Sequence, residues 1–207
     1  AYSARSSRVR CLPEPYAYGL SEENAVLLDL AEYAFDDEPW QPREEILRID
    51  NLFREKLGYP KRMEALAQPW TQAEEGKPEH VLRLRFRIRA LTDVDHVELA
   101  MERPEDAGII WNGREIDREI RGWYVDRGIK KLSLGQLCTG ENLLEISIPF
   151  GRKTNVEWCY LLGDFGARVC GSHVEVTERP GQLYYGDYVN QGFPFYAGNM
   201  EYKIKEE

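Results

Sequence analysis

The sequence predicts a mainly-β chain, a sandwich or jelly roll with one accessory helix. Three observations lead there. Several segments alternate apolar and polar residues with the two-residue period of a half-buried strand. Short apolar runs are separated by frequent Gly-containing turns, the spacing of an all-β sandwich. A single stretch carries a helical period, so nothing in the pattern suggests the strand–helix repetition of a TIM barrel or a Rossmann core.

Residues 1–20 read as an irregular lead-in. The run NAVLLDLAEYAF (24–35) reads as a strand and DDEPW (36–40) as a turn. A helix should follow. Pro42 suits its first position, Glu44 and Glu45 its first turn, and Ile46, Ile49, Phe53 and Leu57 one face, with Gly58 and Pro60 as the stop. Residues 61–78 read as a linker. From 79 onward the pattern is β. In 81–90, Leu82, Leu84, Phe86 and Ile88 share one face and Arg83, Arg85, Arg87 and Arg89 the other. In 96–103, Val97, Leu99 and Met101 should point inward and Glu98 and Glu102 outward. Asn112-Gly113 between apolar runs is the strongest short hairpin signal. Further strands are expected at 122–126, 130–134, 142–150, 157–169 and 173–179. These divide the chain into a strand, helix and linker packing on the sandwich (1–78), the sandwich itself (79–180) and a terminal strand segment (181–207).

Composition excludes several functions. A net charge of −9 argues against nucleic-acid binding, which needs a basic face. No apolar run approaches a membrane span. The N-terminal stretch lacks a long apolar core, so it does not read as a signal peptide, and a cytoplasmic location is expected. The absence of an initiator Met fits a processed or excised fragment. Cys11, Cys138, Cys159 and Cys170 are far apart and read as reduced, buried small hydrophobes. With three His and none at ligand spacing, a zinc site is not expected. A structural Ca²⁺ would draw on Asp93 and Asp95 in LTDVDH, two carboxylates where the ion takes six to eight oxygens. No cofactor is therefore expected.

The chemistry-bearing residues each have a structural reading. The arginine row could hold phosphates or acidic glycans, or could be a solvated face paired with Glu98 and Glu102. Asp36, Asp37, Asp126, Asp164 and Glu157 could supply the carboxylate pair of a glycosidase. They sit in no catalytic motif, however, and Asp164 in LLGDFG suits backbone capping. GDFG shares letters with a kinase motif but lacks its companion motifs, and no Ser sits in GxSxG. Aromatics reach 12%, which suits both β structure and sugar stacking. Trp111, Trp123, Tyr124, Trp158, Tyr185 and Tyr196 are the candidate carbohydrate-binding residues, each of which could instead be packing. Tyr184, Tyr188 and Phe195 belong to the same wider set.

Residues 109–150 carry a resemblance. Asn112-Gly113, Gly122-Trp123, and Gly140, Asn142, Leu144 and Ile146 in a G-x-N-x-L-x-I strand resemble the sugar-binding, galactose-binding-like β-sandwich of family 2 glycoside hydrolases. The flanking PWQPREEILRIDNLFREKLG, AQPW and CYLLGDFG look like the non-catalytic region of large family 2-like or alpha-L-rhamnosidase-like proteins. The resemblance implies a galactose-binding-like jelly roll whose matched Asn and Gly positions form turns. It also implies catalytic carboxylates on a separate barrel domain, so no catalytic residue is assigned to this chain.

The expected function is a non-catalytic ancillary domain of a multidomain glycoside hydrolase, shaping carbohydrate binding by a neighbouring catalytic domain. An autonomous carbohydrate-binding module and a protein-interaction domain are the alternatives. The partners expected are a carbohydrate or that neighbouring domain, with no nucleic acid and no membrane. The aromatic stretch QGFPFYAGN (191–199) leads into an amphipathic segment in which Met200, Tyr202 and Ile204 alternate with charged residues. Phe193, Phe195 and Tyr196 should therefore be mostly buried, anchoring a last strand, and the ending reads as a boundary inside a longer chain.

Overall fold

The computed structural model describes residues 12–61 and 76–204. The expectations for residues 1–11, Cys11 among them, for linker residues 62–75 and for Lys205 lie outside those ranges. The protein is a mainly-β sandwich with one α-helix among the described residues, as the sequence predicts.

The longest pairing sets the frame. β5 (His80–Ala90) and β11 (Gly140–Phe150) run antiparallel along their whole lengths. Their alternation sends Leu82, Leu84, Phe86 and Ile88 of one strand, and Leu144 and Ile146 of the other, into the core. β7 (Gly108–Trp111) and β8 (Arg114–Glu115) extend the sheet beyond β11. The turn between them is Asn112-Gly113, at φ 48° and 79°, the doubly left-handed backbone that Asn-Gly favours in hairpins. On the other edge of β5, β3 (Leu30–Phe35) pairs along Leu82–Arg85, and β4 (Gln41–Glu45) pairs with β3. β14 (His173–Thr177) joins β5 in parallel at Arg89 and Ala90, and β13 (Gly166–Cys170) completes the sheet.

The facing sheet has the order β2 (Asn24–Leu28), β12 (Cys159–Gly163), β6 (Val94–Glu102), β10 (Asp126–Leu137) and β9 (Trp123–Tyr124). Val26, Leu28, Val97, Leu99, Leu132 and Leu161 meet the inner face of the larger sheet in one apolar core. A separate ribbon pairs β1 (Ala17–Leu20) with β15 (Met200–Lys203).

Several local expectations change. The single strands expected over 24–35 and 157–169 are each two strands, in different sheets. The chain crosses from one sheet to the other at Asp29 and again at Asp164-Phe165, and an apolar run buried on both sides of such a corner shows no break in hydrophobicity. The helix α1 (Ile46–Leu57) starts four residues later than Pro42. Residues 41–45 pair with β3 instead, and Glu45 caps the helix by accepting from the Leu47 and Arg48 amides. Part of the irregular lead-in is β1. Glu98, expected outside, is buried at 6% exposure, because the second face of β6 is also covered and Lys131 reaches in to pair with it. Arg85, Arg87 and Arg89 of the arginine row do pair with carboxylates, but not with Glu98 and Glu102, since β6 is in the opposite sheet, while Arg83 donates to the Glu38 carbonyl. The partners are Glu32, Glu141, Glu145 and Glu175, on strands beside β5. Trp40 lies over Arg85 at 3.8 Å. The cysteines are free in the described residues, and Cys159 is buried, but Cys138 is exposed.

The helix closes one end of the core. Phe53 stacks on Phe35 at 4.2 Å between ring centroids and meets Phe150 at 4.6 Å. Beside them, Asp50 and Arg54 form a buried pair at 3.0 Å. Arg54 also donates to the carbonyls of Arg152 (2.9 Å) and Thr154 (2.6 Å), tying the helix to the loop after β11. Removing one member strands a buried charge, so Arg54→Met should cost about 3–5 kcal/mol. The double variant Asp50→Leu/Arg54→Met should recover much of that loss, with urea unfolding as the measurement.

Candidate functional site

Of the six candidate rings, Trp123 and Tyr124 line one cleft and the other four lie elsewhere. Trp111 is 4% exposed and donates its indole N–H to the Gln136 carbonyl at 3.0 Å, bridging the two sheets. Tyr124 is buried against Tyr160, and Tyr196 is buried with its hydroxyl donating to the Asn199 carbonyl and accepting from the Ser21 amide. These three are packing residues, because a buried ring offers no face to a sugar. Burial also pushes the Tyr124 hydroxyl above the usual tyrosine range. Trp158 is partly exposed, but its indole N–H donates to Glu45 at 2.9 Å and so steadies the helix cap. Tyr185 is exposed beside Tyr202 on the terminal ribbon. Phe193 and Tyr196 are buried as expected and anchor β15, while Phe195 is half-buried and packs on the smaller sheet.

Trp123 is different. It is 54% exposed and lines a cleft of about 580 Å³ at the open edge of the five-stranded sheet. The other walls come from separate segments: Glu22 and Glu23 before β2, Lys131 in β10, Asp164 after β12, and Arg179 after β14. The cleft thus presents one flat apolar ring among donors and acceptors of both signs, the composition of a polar small-molecule site. A second cleft, of about 550 Å³ around Met101 and Ile148, has no aromatic in its described lining.

The polar wall is pre-ordered. Lys131 donates to Glu23 at 3.0 Å and to Glu98. Partial burial pulls the Lys131 pKa down, but these two carboxylates outweigh it, and the ammonium is held above its ordinary value. Arg179 pairs with Asp164, donates to the Tyr18 hydroxyl at 3.0 Å and lies 5.2 Å from the Tyr18 ring centre. Asp164 is therefore an ion-pair partner here and not the amide cap the sequence suggests. Asn24 forms the floor, fully used by the Phe165 and Gly192 carbonyls and by the Ala25 amide.

Next to Trp123 the backbone is strained. Val125, the residue between β9 and β10, sits at φ 59° although it is β-branched and 62% exposed. A conformation of this kind costs on the order of 1–3 kcal/mol, and an exposed valine recovers little of it by burial. The register between β9 and β10 also slips here, so the corner fixes how the Trp123 ring leaves the sheet.

The candidate carboxylates are scattered in structural contacts. Asp36 accepts from the Val81 amide at 2.8 Å and bonds His80 at 3.0 Å, and Asp126 accepts from the Gly128 amide at 2.7 Å. Where carboxyls are displaced from their usual range, at Asp36, Asp93, Glu105 and Glu175, they are displaced downward. A general acid needs the opposite shift. Asp93 of the considered Ca²⁺ loop accepts from the Thr139 amide at 2.5 Å, and no metal-ligating cluster occurs among the described residues.

The cleft was hidden from sequence reading apart from Trp123, Tyr124 and Asp164. Glu22, Glu23, Lys131 and Arg179 lie in ordinary polar positions far apart in the chain, and the fold alone brings them together.

Two outcomes follow from these contacts. Val125→Gly should leave stability unchanged or raise it by about 1 kcal/mol, since glycine adopts positive φ freely, while Val169→Gly in β13 should lose about 1 kcal/mol; thermal melts compare them. The bond from the Thr139 amide holds the Asp93 carboxyl lower in the folded than in the unfolded chain. Its contribution is present above the unfolded value of about 4 and lost as pH falls through the lower folded value. The stability gap between wild type and Asp93→Asn should accordingly be constant near neutrality and close in acid.

No family model matches the chain, and no curated protein matches it. Two crystal structures of a GH2 beta-galacturonidase from Eisenbergiella tayi, one bound to galacturonate and one to glycerol, are similar to it. Each has a TM-score of 0.36 and 10% sequence identity over 76% of this chain. The chain spans 29% and 28% of those proteins, less than a third of their length.

Proposed function

We propose that this chain is a non-catalytic β-sandwich domain of a multidomain glycoside hydrolase, and that it engages carbohydrate at the Trp123 cleft to support a neighbouring catalytic domain. The observation that carries the reading is the Trp123 indole, more than half exposed in a cleft lined by Glu22, Glu23, Lys131, Asp164 and Arg179. An exposed ring can cover the apolar face of a pyranose while side chains beside it bond the hydroxyls. The resemblance of residues 109–150 to the galactose-binding-like region of family 2 glycoside hydrolases supports the same reading.

A second reading has its own observation. Ile120 (42% exposed) and Val125 lie close in sequence to Trp123, and together they offer apolar surface to a protein neighbour.

Titration of the protein with soluble glycans, followed by tryptophan fluorescence, separates these readings. Saccharide should perturb the emission, and Trp123→Ala should weaken binding by about tenfold or more, roughly 1.4 kcal/mol, with an unchanged urea midpoint. Glycan silence would favour the protein-docking reading. Hydrolysis of aryl glycosides by this chain would overturn the non-catalytic assignment.

A further inference from the structure

A further cleft, of about 430 Å³, adjoins the Trp123 cleft. Tyr18, Asp93, Thr177 and Glu178 line it, and Asp164 and Arg179 are shared between the two. The Asp164–Arg179 ion pair is thus a low partition between two hollows, each large enough for a small polar ligand. The partition is itself supported from below, since Tyr18 accepts from Arg179 and donates to the Pro180 carbonyl at 2.5 Å.

The charges along this path have a consistent sign. Both cations that line it already have carboxylate partners, Lys131 with Glu23 and Glu98, Arg179 with Asp164. The remaining ionisable groups are acidic: Glu22 at one end, Asp93 and Glu178 at the other, all exposed. A carboxylated or sulfated sugar would meet like charges along the whole path and would have to break an existing ion pair to gain a cation. Sugar hydroxyls, by contrast, donate well to carboxylates, as O–H···O⁻ bonds are among the stronger hydrogen bonds.

Resting on the reading of this chain as a carbohydrate-binding domain, we infer that the two clefts form one groove whose ligand is an uncharged saccharide chain of at least two sugar units. One unit stacks on Trp123, and the next crosses the Asp164–Arg179 partition toward Asp93 and Glu178.

The test is fluorescence titration of the full chain with neutral gluco-, galacto-, manno- and xylo-oligosaccharides, their monosaccharides, and oligogalacturonides of matching length. At least one neutral oligosaccharide should bind about tenfold more tightly than its monosaccharide and than any oligogalacturonide, with little dependence on salt. Glu178→Ala, a surface change checked for folding by circular dichroism, should weaken the oligosaccharide several-fold and leave the monosaccharide unaffected, while Trp123→Ala should weaken both. Equal or tighter binding of an oligogalacturonide overturns the inference, as does equal affinity for monosaccharide and oligosaccharide; in either case the carbohydrate-binding reading stands. Absence of binding by every saccharide at millimolar concentration overturns that reading itself, and the inference with it.

Discussion

One buried amide organises the part of this molecule that has a cleft. Asn24 is 1% exposed, and each polar atom of its side chain is used. Its nitrogen donates to the Phe165 carbonyl at 2.8 Å and the Gly192 carbonyl at 3.1 Å. The first bond holds the corner where the chain leaves one sheet for the other. The second holds the aromatic C-terminal stretch, whose Gly192 carbonyl also accepts from Ala167 at 2.8 Å. Two segments distant in sequence are thereby locked beside the start of β2. A buried donor without a partner costs about 1–3 kcal/mol, so loss of either segment leaves a penalty at Asn24. Gly166 shows how tight the junction is: a Cβ there would lie 2.6 Å from the Glu178 carbonyl oxygen.

That junction explains why the C-terminal stretch is rich in rings. Phe193, Leu183 and Tyr196 form a small core of their own, with Tyr18, Leu20 and Tyr202 of the β1–β15 ribbon packed on it. Phe195 turns the other way and joins Ala25, Ala100, Tyr124 and Leu162 on the outer face of the smaller sheet. That face would otherwise be wet, and its cover is the reason Glu98 is buried in β6. Tyr196 and Phe195, two of the aromatics suspected of sugar stacking, therefore spend their surface on attaching the terminal segment, while Trp123 beside it stays exposed.

The legible part of the sequence is the part governed by local period. β5 and β11 alternate strictly because one face of the larger sheet meets the core and the other meets ion pairs, and Asn112-Gly113 marks its hairpin by backbone preference alone. The resemblance implies turns at both matched asparagines; Asn112 is in one, whereas Asn142 is buried within β11 and bonds Asn112 at 2.9 Å. What stayed hidden depends on partners remote in sequence. Residues 41–45 carry helix-start letters but pair with β3. The run 24–35 is apolar on both sides of Asp29, so a change of sheet leaves no trace in its pattern. The arginines announce a charged face but not which strand supplies the carboxylates. The cleft is the extreme case, since five segments build it and the quoted motifs touch only two of them, at Trp123 and at residues 162–164.

An indole left half in water forgoes part of the ~1.5–3 kcal/mol that burying a large apolar side chain contributes, and Val125 adds backbone strain at the next turn of the chain. By contrast, Trp111 bridges the sheets, Trp158 supports a helix cap, and Arg85, Arg87 and Arg89 find carboxylates. Places where a chain departs from its own local rules without structural return tend to be functional. Trp123 and Val125 are such a place. They adjoin a polar wall whose two cations are already paired and so need no rearrangement to receive hydroxyl groups, which is the condition under which a modest ring surface would yield the proposed selective site.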